Sequence, residues 1–212
     1  MRALERKEPM FYIHTEKRAA PGAPLIFTFH GTGGDETQFS GLAAQLMPDA
    51  GVVSPRGDVS EMGVARFFKR TGEGVYDMDD LAQRIAKMET FLRAKINDAR
   101  PCRVIGMGYS NGANILAALS FVQPDLFNDL ILMHPLIPWT PAAQPMLAEK
   151  RVLITAGQHD PICPTATTQK LAGYYASQGS EVELAWHGGG HDLRPSEIEA
   201  VAKFLNPHPG LG

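Results

Sequence analysis

A serine stands between two glycines near the middle of the chain, in the segment Gly108-Tyr109-Ser110-Asn111-Gly112. The apolar residues before it predict a strand over 103–108, and the residues after it predict a helix over 111–121. A tight turn between such a strand and helix lifts the serine hydroxyl clear of the backbone, and the glycines allow close packing. The segment therefore predicts a nucleophilic serine.

A serine nucleophile needs a base, and the base needs a group that orients it. Asp160 follows a predicted strand over 152–156, and His191 follows the last predicted strand, over 181–186. Serine, acid and histidine occur in this order in the α/β-hydrolase fold, each at the carboxyl end of a different strand. We therefore expect Ser110, Asp160 and His191 to form a catalytic triad.

Other histidines compete for the role of the base. His187 lies closer to the strand end than His191, before the glycines at 188–190 that would let His191 reach back to Ser110. His187 is therefore the second candidate. His159 and His134 are further alternatives.

The oxyanion formed during attack on a carbonyl needs hydrogen-bond donors. His30-Gly31-Thr32-Gly33-Gly34 begins at the last residue of a predicted strand over 25–30. In α/β-hydrolases one donor comes from this loop and the other from the residue after the nucleophile, so we expect the backbone N–H groups of Thr32 and Asn111. Neither GxGxxG nor GxxxxGK[ST] occurs, which argues against dinucleotide or ATP binding.

Predicted strands alternate with predicted helices along the whole chain. This alternation is typical of an α/β fold with a mostly parallel central sheet and helices on both faces. Function then gathers at the carboxyl ends of the strands, where the residues above fall. The strands are expected at 10–14, 25–30, 51–54, 103–108, 130–133, 152–156 and 181–186, and the helices at 36–46, 77–95, 111–121, 166–178 and 195–205.

Composition restricts the remaining choices. The 212 residues are 44% hydrophobic and carry a net charge of -3, which indicates one domain over 1–212 and makes nucleic acid an unexpected partner. The two cysteines stand apart and suggest neither a disulfide framework nor a metal site. Without a signal-like or membrane-spanning apolar stretch, we expect a cytoplasmic protein.

Five motifs together resemble one family. HGTGGDE, SPRG, GYSNGAN, GQHDPICP and GGGH occur in the order and spacing of the phospholipase/carboxylesterase family of α/β-hydrolases, which is similar to acyl-protein thioesterases and more distantly to dienelactone hydrolase. The segments 66–70 and 74–77 resemble small bacterial carboxylesterases induced by quinone and thiol stress. Dienelactone hydrolase uses a cysteine nucleophile, whereas this chain carries Ser110.

Several residues are expected around the mouth of the site. Apolar and aromatic loop residues indicate an apolar acyl or aryl pocket, in which we assign substrate contacts to Phe67, Phe68, His134 and Ile137. The alternatives are packing in the core or at the rim for the apolar residues and a structural role for His134. Arg66 either pairs with a substrate carboxylate or forms an exposed salt bridge. Cys163 has no base of its own nearby in sequence and is read as a bystander thiol.

The expected function is that of a serine carboxylesterase that cleaves small or extended apolar acyl and aryl esters through an acyl-enzyme on Ser110. No metal or organic cofactor is expected, and no large cap domain has room in the chain. The same triad would also serve an acyl thioesterase or a lysophospholipase. A non-catalytic binding protein of the same fold is the alternative from another class. The sequence leaves the oligomeric state open, a homodimer included.

Overall fold

The computed structural model describes residues 11–72 and 74–206. Eleven strands are found in this part of the chain: β1 His14–Lys17, β2 Leu25–Phe29, β3 Gly51–Pro55, β4 Val59–Glu61, β5 Val64–Arg66, β6 Arg70–Gly72, β7 Val75–Tyr76, β8 Val104–Tyr109, β9 Asp129–Met133, β10 Arg151–Gly157 and β11 Glu181–His187. The α-helices are α1 Ser40–Leu46, α2 Met78–Ala99, α3 Asn111–Val122, α4 Thr165–Ser177 and α5 Pro195–Leu205.

Seven strands form the central sheet, in the order β1-β3-β2-β8-β9-β10-β11. β1 pairs antiparallel with β3, and all other neighbours in this sheet pair in parallel. β2, β3 and β9 are buried along their whole length, as expected for strands covered on both faces. The predicted fold class is confirmed.

Helices cover both faces of the sheet and bury two separate clusters of apolar residues. On one face α2, α3 and α4 pack against the sheet, and on the other face α1 and α5 do so. Four apolar residues of α2, spaced by four, three and four positions as on one face of a helix, are buried: Leu81, Ile85, Met88 and Leu92. The Asp77 side chain caps this helix by accepting a hydrogen bond from the N–H of Asp80 at 3.0 Å. The amphipathic pattern thus identified the core-facing side of the helix.

Three predicted boundaries differ from the structure by four residues. α2 ends at Ala99 rather than at 95. α1 begins at Ser40 rather than at 36, because the Asp35 side chain accepts hydrogen bonds from the N–H and hydroxyl of Thr37 and holds a turn there. β1 lies at His14–Lys17, later than the predicted 10–14, and residue 10 is outside the described part of the chain.

Two small hairpins between β3 and α2 were not predicted. They are formed by β4 with β5 and by β6 with β7, and their strands of two or three residues are too short to show an alternating apolar pattern. Apart from these hairpins, no cap is inserted into the described residues, as expected. None of the helices within 11–72 and 74–206 has the length and apolarity needed to cross a membrane.

Candidate active site

Ser110 lies in a strained turn between β8 and α3. Its backbone has a φ of 52°, which is unfavourable for a residue with a side chain. The N–H of Ser110 donates to the carbonyl of Met133 at 2.9 Å and so fixes the turn. A β-carbon on Gly108 would lie 2.6 Å from the Gly112 backbone, so only glycine allows this close approach. The structure thus contains the predicted turn.

His191 reaches Ser110 from the loop after β11. Its Nε2 lies 2.9 Å from Ser110 Oγ, and its Nδ1 lies 2.7 Å from Asp160 Oδ2. The hydroxyl of Tyr109 donates to the backbone carbonyl of His191 at 2.8 Å. The residue before the serine therefore fixes the loop that carries the histidine.

Asp160 is held on every side. Its side chain is fully buried, and Oδ1 accepts hydrogen bonds from the N–H groups of Ile162 and Cys163 at 2.8 and 3.0 Å. Burial by itself would raise the pKa of Asp160, but hydrogen bonds from His134, Cys163 and His191 outweigh it and hold the pKa below its usual value. Asp160 is therefore an ionised acceptor for the Nδ1–H of His191.

The structure brings none of the competing histidines to Ser110. His187 accepts a hydrogen bond from the N–H of Gly189 at its Nδ1, and its Nε2 lies 3.1 Å from Glu197 Oε2. His159 is exposed, with Nδ1 3.1 Å from the carbonyl of Gly188. Of the candidate bases, His191 is the one at hydrogen-bond distance from the serine.

His134 requires a correction, because it was expected to contact substrate. It is fully buried, with Nδ1 2.8 Å from Asp160 Oδ2 and Nε2 3.0 Å from Glu197 Oε1. It lies behind Asp160 and not in the cleft wall. Sequence reasoning also missed Glu197, which occupies an ordinary position near the start of α5 and belongs to none of the recognised motifs.

Buried polar groups could also bind a cation in principle. His134, Asp160 and His191 bring ligand atoms within 4.8 Å of one another, as do His134, His187 and Glu197. The same atoms form the hydrogen bonds and ion pairs given above. These residues therefore satisfy one another as a connected polar network.

The loop expected to bind the oxyanion borders the same cavity as Ser110. Thr32 and Asn111 both line this cavity. The loop is fixed by its neighbours: the N–H of Gly31 donates to Gln38 Oε1 at 2.9 Å, and His30 accepts from the N–H of Gly57 at Nε2 and contacts the Gly31 carbonyl through Nδ1. Burial lowers the pKa of His30, which favours the neutral ring that this bonding requires.

The cavity beside Ser110 encloses about 350 Å³ and has a mixed wall. Tyr76, Leu136 and Ile162 supply apolar surface, whereas Arg66 and Arg70 supply two guanidinium groups. The expectation of an apolar pocket therefore needs correction, because two cationic side chains face the space in front of the serine.

Three other expected substrate contacts also lie elsewhere. Phe67 and Phe68 are buried in the core, at 1% and 0% exposure. Phe67 packs against the His30 ring at a centroid distance of 4.6 Å, and its N–H donates to Asn111 Oδ1, so it supports the site from behind. Ile137 is buried and borders a neighbouring depression with Trp139. The apolar character that suggested substrate binding reflects core packing.

One curated protein is similar to this chain over most of its length. "Putative hydrolase MhqD" of Bacillus subtilis (strain 168) is 38% identical over 182 residues, which cover 85% of this chain and 91% of that protein. No protein-family model matches the chain.

Two solved structures share the fold throughout. The carboxylesterase of Bacillus cereus superposes with a TM-score of 0.85 at 33% identity, over 92% of this chain and 94% of that one. The structure of YahD with malic acid superposes with a TM-score of 0.83 at 27% identity, over 92% and 98% of the two chains.

Proposed function

Since this chain belongs to the phospholipase/carboxylesterase family of α/β-hydrolases and is an ester-hydrolysing enzyme, we propose that it acts through an acyl-enzyme on Ser110. The observation that carries this proposal is the continuous hydrogen-bonded chain from Ser110 Oγ through the His191 ring to the buried Asp160 carboxylate. A serine, a base and an orienting carboxylate in this arrangement are what acyl transfer to a hydroxyl requires.

In the proposed first step Ser110 Oγ attacks the ester carbonyl while His191 Nε2 accepts the hydroxyl proton. The N–H groups of Thr32 and Asn111 stabilise the oxyanion, and Asp160 stabilises the cationic ring. When the tetrahedral intermediate collapses, the bond to the leaving alcohol breaks and His191 returns the proton to that alcohol. Water then attacks the acyl-enzyme by the same route in reverse, which releases the acid and restores Ser110.

A fluorophosphonate probe tests this assignment directly. We expect stoichiometric labelling of the wild-type chain at Ser110, located by peptide mass spectrometry, together with turnover of 4-nitrophenyl acetate. Ser110→Ala should lose both. The exposed Ser177 on α4, whose hydroxyl donates to the Tyr174 carbonyl and accepts from Gln178 Nε2, offers Ser177→Ala as a matched control that keeps both. Labelling at another residue would remove Ser110 as the nucleophile.

Among esters, the cavity favours those with a negative charge near the carbonyl. Arg66 is only 4% exposed, so it is not the exposed salt bridge considered from the sequence. It shares one carboxylate with Arg70: Glu61 lies 3.1 Å from Arg66 Nε and 2.9 Å from Arg70 Nε. Two cations with one anion leave a net positive charge among these three groups. The malic acid in the YahD structure, a dicarboxylic acid, supports the same direction.

Matched substrates measure this preference. Monoethyl succinate and ethyl 4-methylpentanoate have nearly the same shape, but only the first carries a charge. Charge-assisted hydrogen bonds contribute about 1.5 to 3 kcal/mol, so we expect kcat/KM to favour the succinate about tenfold or more. This ratio should fall in Arg70→Gln and persist in Arg18→Gln, which removes a charge from the surface, where the Arg18 side chain is 82% exposed. Equal kcat/KM values for the two substrates in the wild-type chain would show that the cavity does not distinguish a charged ester from a neutral one.

An acyl thioesterase or lysophospholipase would use the same triad. The cavity of about 350 Å³ favours short acyl groups over lysolipids, whose long chains would extend beyond it. Comparison of kcat/KM for ethyl butyrate, the ethyl thioester of butyric acid and a lysophosphatidylcholine separates the three activities. A cytoplasmic location and a homodimer stay predictions, to be checked by cell fractionation and by the mass of the protein in solution.

A further inference from the structure

A histidine with both ring nitrogens on carboxylates lies behind the candidate triad. His134 Nδ1 is 2.8 Å from Asp160 Oδ2, His134 Nε2 is 3.0 Å from Glu197 Oε1, and none of the three side chains is more than 2% exposed. A neutral imidazole has a proton on only one nitrogen, so its other nitrogen would direct a lone pair at a buried carboxylate. Only the imidazolium form donates to both.

The two carboxylates are themselves held as acceptors. Glu197 Oε1 accepts from the Thr155 hydroxyl at 2.6 Å, and Glu197 Oε2 accepts from the N–H of Arg194 at 2.7 Å. Burial alone would lower the pKa of His134, but its hydrogen bonds to Glu197 and Asp160 outweigh burial and raise that pKa above the usual value. The geometry and the direction of the pKa agree on a buried cation.

Every element around the ring contributes a group to this environment. The segment between β10 and α4 supplies Asp160 and Cys163, and α5 supplies Glu197. His187 lies at the end of β11, and His191 lies in the loop that follows it. Tyr109 lies at the end of β8. His187 accepts from the N–H of Gly189 at Nδ1, so its proton is on Nε2. This Nε2 lies 3.1 Å from Glu197 Oε2 and 3.4 Å from His134 Nε2, and the shorter distance assigns its hydrogen bond to Glu197. Together the His134 imidazolium and the carboxylates of Asp160 and Glu197 amount to one cation and two anions.

The cation is placed to act on the base through their shared carboxylate. Asp160 Oδ2 faces both His134 Nδ1 and His191 Nδ1, and the centroids of the two imidazole rings are 5.0 Å apart. We propose that His134 is a positioning residue for ester hydrolysis, a buried imidazolium that fixes the Asp160 carboxylate towards His191 and offsets part of its negative charge. This inference rests on the proposed function of Ser110, His191 and Asp160.

The positive charge of His134 changes the protonation of His191 in a definite direction. Asp160 stabilises a proton on His191, whereas a positive charge 5.0 Å away opposes that proton. At an effective dielectric constant near 20, two unit charges at this distance interact strongly enough to shift the protonation of His191 by more than about one pH unit. His134 therefore extends towards acid the pH range in which His191 is neutral and can accept the proton of Ser110.

The test is the pH dependence of kcat/KM for a neutral ester such as ethyl butyrate. Replacing the cation in His134→Gln should move the acid limb of the profile to higher pH by about one unit or more. His159→Gln, a matched change at an exposed ring outside the network, should leave the limb in place. A loss of rate in His134→Gln with an unmoved acid limb would overturn the proposal, because it would show that His134 acts by packing alone.

Two further measurements test the proposal if His134→Gln does not fold. His134→Asn suits the backbone at this position, where φ is 51°, because asparagine tolerates positive φ better than glutamine does. In the wild-type chain, nitrogen-15 NMR of the imidazole rings should show protons on both nitrogens of His134 at neutral pH. A neutral His134 ring would overturn the proposal.

The NMR measurement also separates this inference from the proposed function. A wild-type chain that hydrolyses no ester and takes up no fluorophosphonate would refute the function of Ser110. The protonation state of His134 would still be read from its ring. An active enzyme with a neutral His134 would refute the inference alone.

Discussion

The backbone of Gly112 lies directly against the carbonyl of Phe29, so that a β-carbon on Gly112 would stand 2.2 Å from that oxygen. The start of α3 is thereby pressed onto the end of β2. The contact brings the segment after Ser110 next to the loop that follows β2, and the two candidate oxyanion donors come from these two segments.

Gly112→Ala should therefore damage both stability and catalysis. Overpacking of this kind costs about 1 to 3 kcal/mol, and the displaced helix start should also lower kcat, because the Asn111 N–H moves with it. Urea unfolding and ester kinetics measure the two effects. Gly173→Ala is the control, since this exposed glycine on α4 has open space around it and should become slightly more stable, by about 0.5 to 1 kcal/mol. Equal behaviour of the two variants would contradict the packing argument.

Ser110→Ala and Ser110→Gly should both lose ester turnover by several orders of magnitude, yet differ in stability. Both remove the hydroxyl, but only glycine relieves the strain at a φ of 52°, which costs on the order of 1 kcal/mol or more. We expect Ser110→Ala to unfold near the wild-type temperature and Ser110→Gly to unfold above it, as measured by calorimetry. A glycine variant less stable than the alanine variant would argue against strain at this position.

His191→Ala should abolish activity, whereas His187→Ala should retain most of it. The reason is that His191 is at 2.9 Å from Ser110 Oγ while His187 is bonded to Glu197. In the wild-type chain kcat/KM should rise with pH and then level off, because the base must be neutral. Rates for both variants across pH 5 to 9 check the assignment, and the reverse pattern would identify His187 as the base.

Thr32→Ala should change kcat only modestly, whereas Thr32→Pro should lower it by a factor on the order of 10² to 10³. Alanine keeps the backbone N–H and loses only the hydroxyl that accepts from Arg66 at 2.9 Å, whereas proline removes the N–H. Since proline can distort the loop, the comparison requires that Thr32→Pro stays folded and reacts, however slowly, with a phosphonate. Equal losses in the two variants would implicate the hydroxyl.

The buried cation should also be visible in stability. The pKa of His134 is raised in the folded chain, so the stabilisation is fully present below the unfolded value of about 6.5 and is lost as pH rises through the folded value. The free energy of unfolding should therefore decline above about pH 6.5, and this decline should be smaller in His134→Asn. Urea unfolding at intervals between pH 6 and 9 measures it. Parallel curves for the two proteins would contradict the prediction.

Local chemistry allowed the candidate triad to be located from the sequence alone. Ser110, Asp160 and His191 each follow a strand with a strong apolar signal, and the structure brings their side chains together. The same signals gave the parallel sheet and the core face of α2. These features depend on hydrophobic periodicity and on turns, which short stretches of sequence determine.

The features missed from the sequence depend on tertiary contacts. The position of His134 at the end of a strand on the catalytic edge predicts a cleft residue. Its partner Glu197 comes from the last helix, and nothing local in the sequence links the two. Phe67 looked like a pocket residue because it is aromatic and lies in a loop, yet it is buried against His30. Burial and long-range pairing of such residues are decided by packing, which a single sequence does not display.

The segment from β4 to β7 forms one wall of the cavity and lies outside the central sheet. It supplies Arg66, Arg70 and Tyr76 to the cavity but no strand to the central sheet, whereas Ser110, Asp160 and His191 stand on sheet strands or on the loops that follow them. Substitutions in this wall could therefore change which ester is preferred, while the three residues proposed to cleave the ester bond stay unchanged. Three hydrogen bonds that join this wall to the candidate active site would have to be kept in such an exchange. The Phe67 N–H donates to Asn111, the Arg66 guanidinium donates to Thr32, and the Gly33 N–H donates to the Ala65 carbonyl.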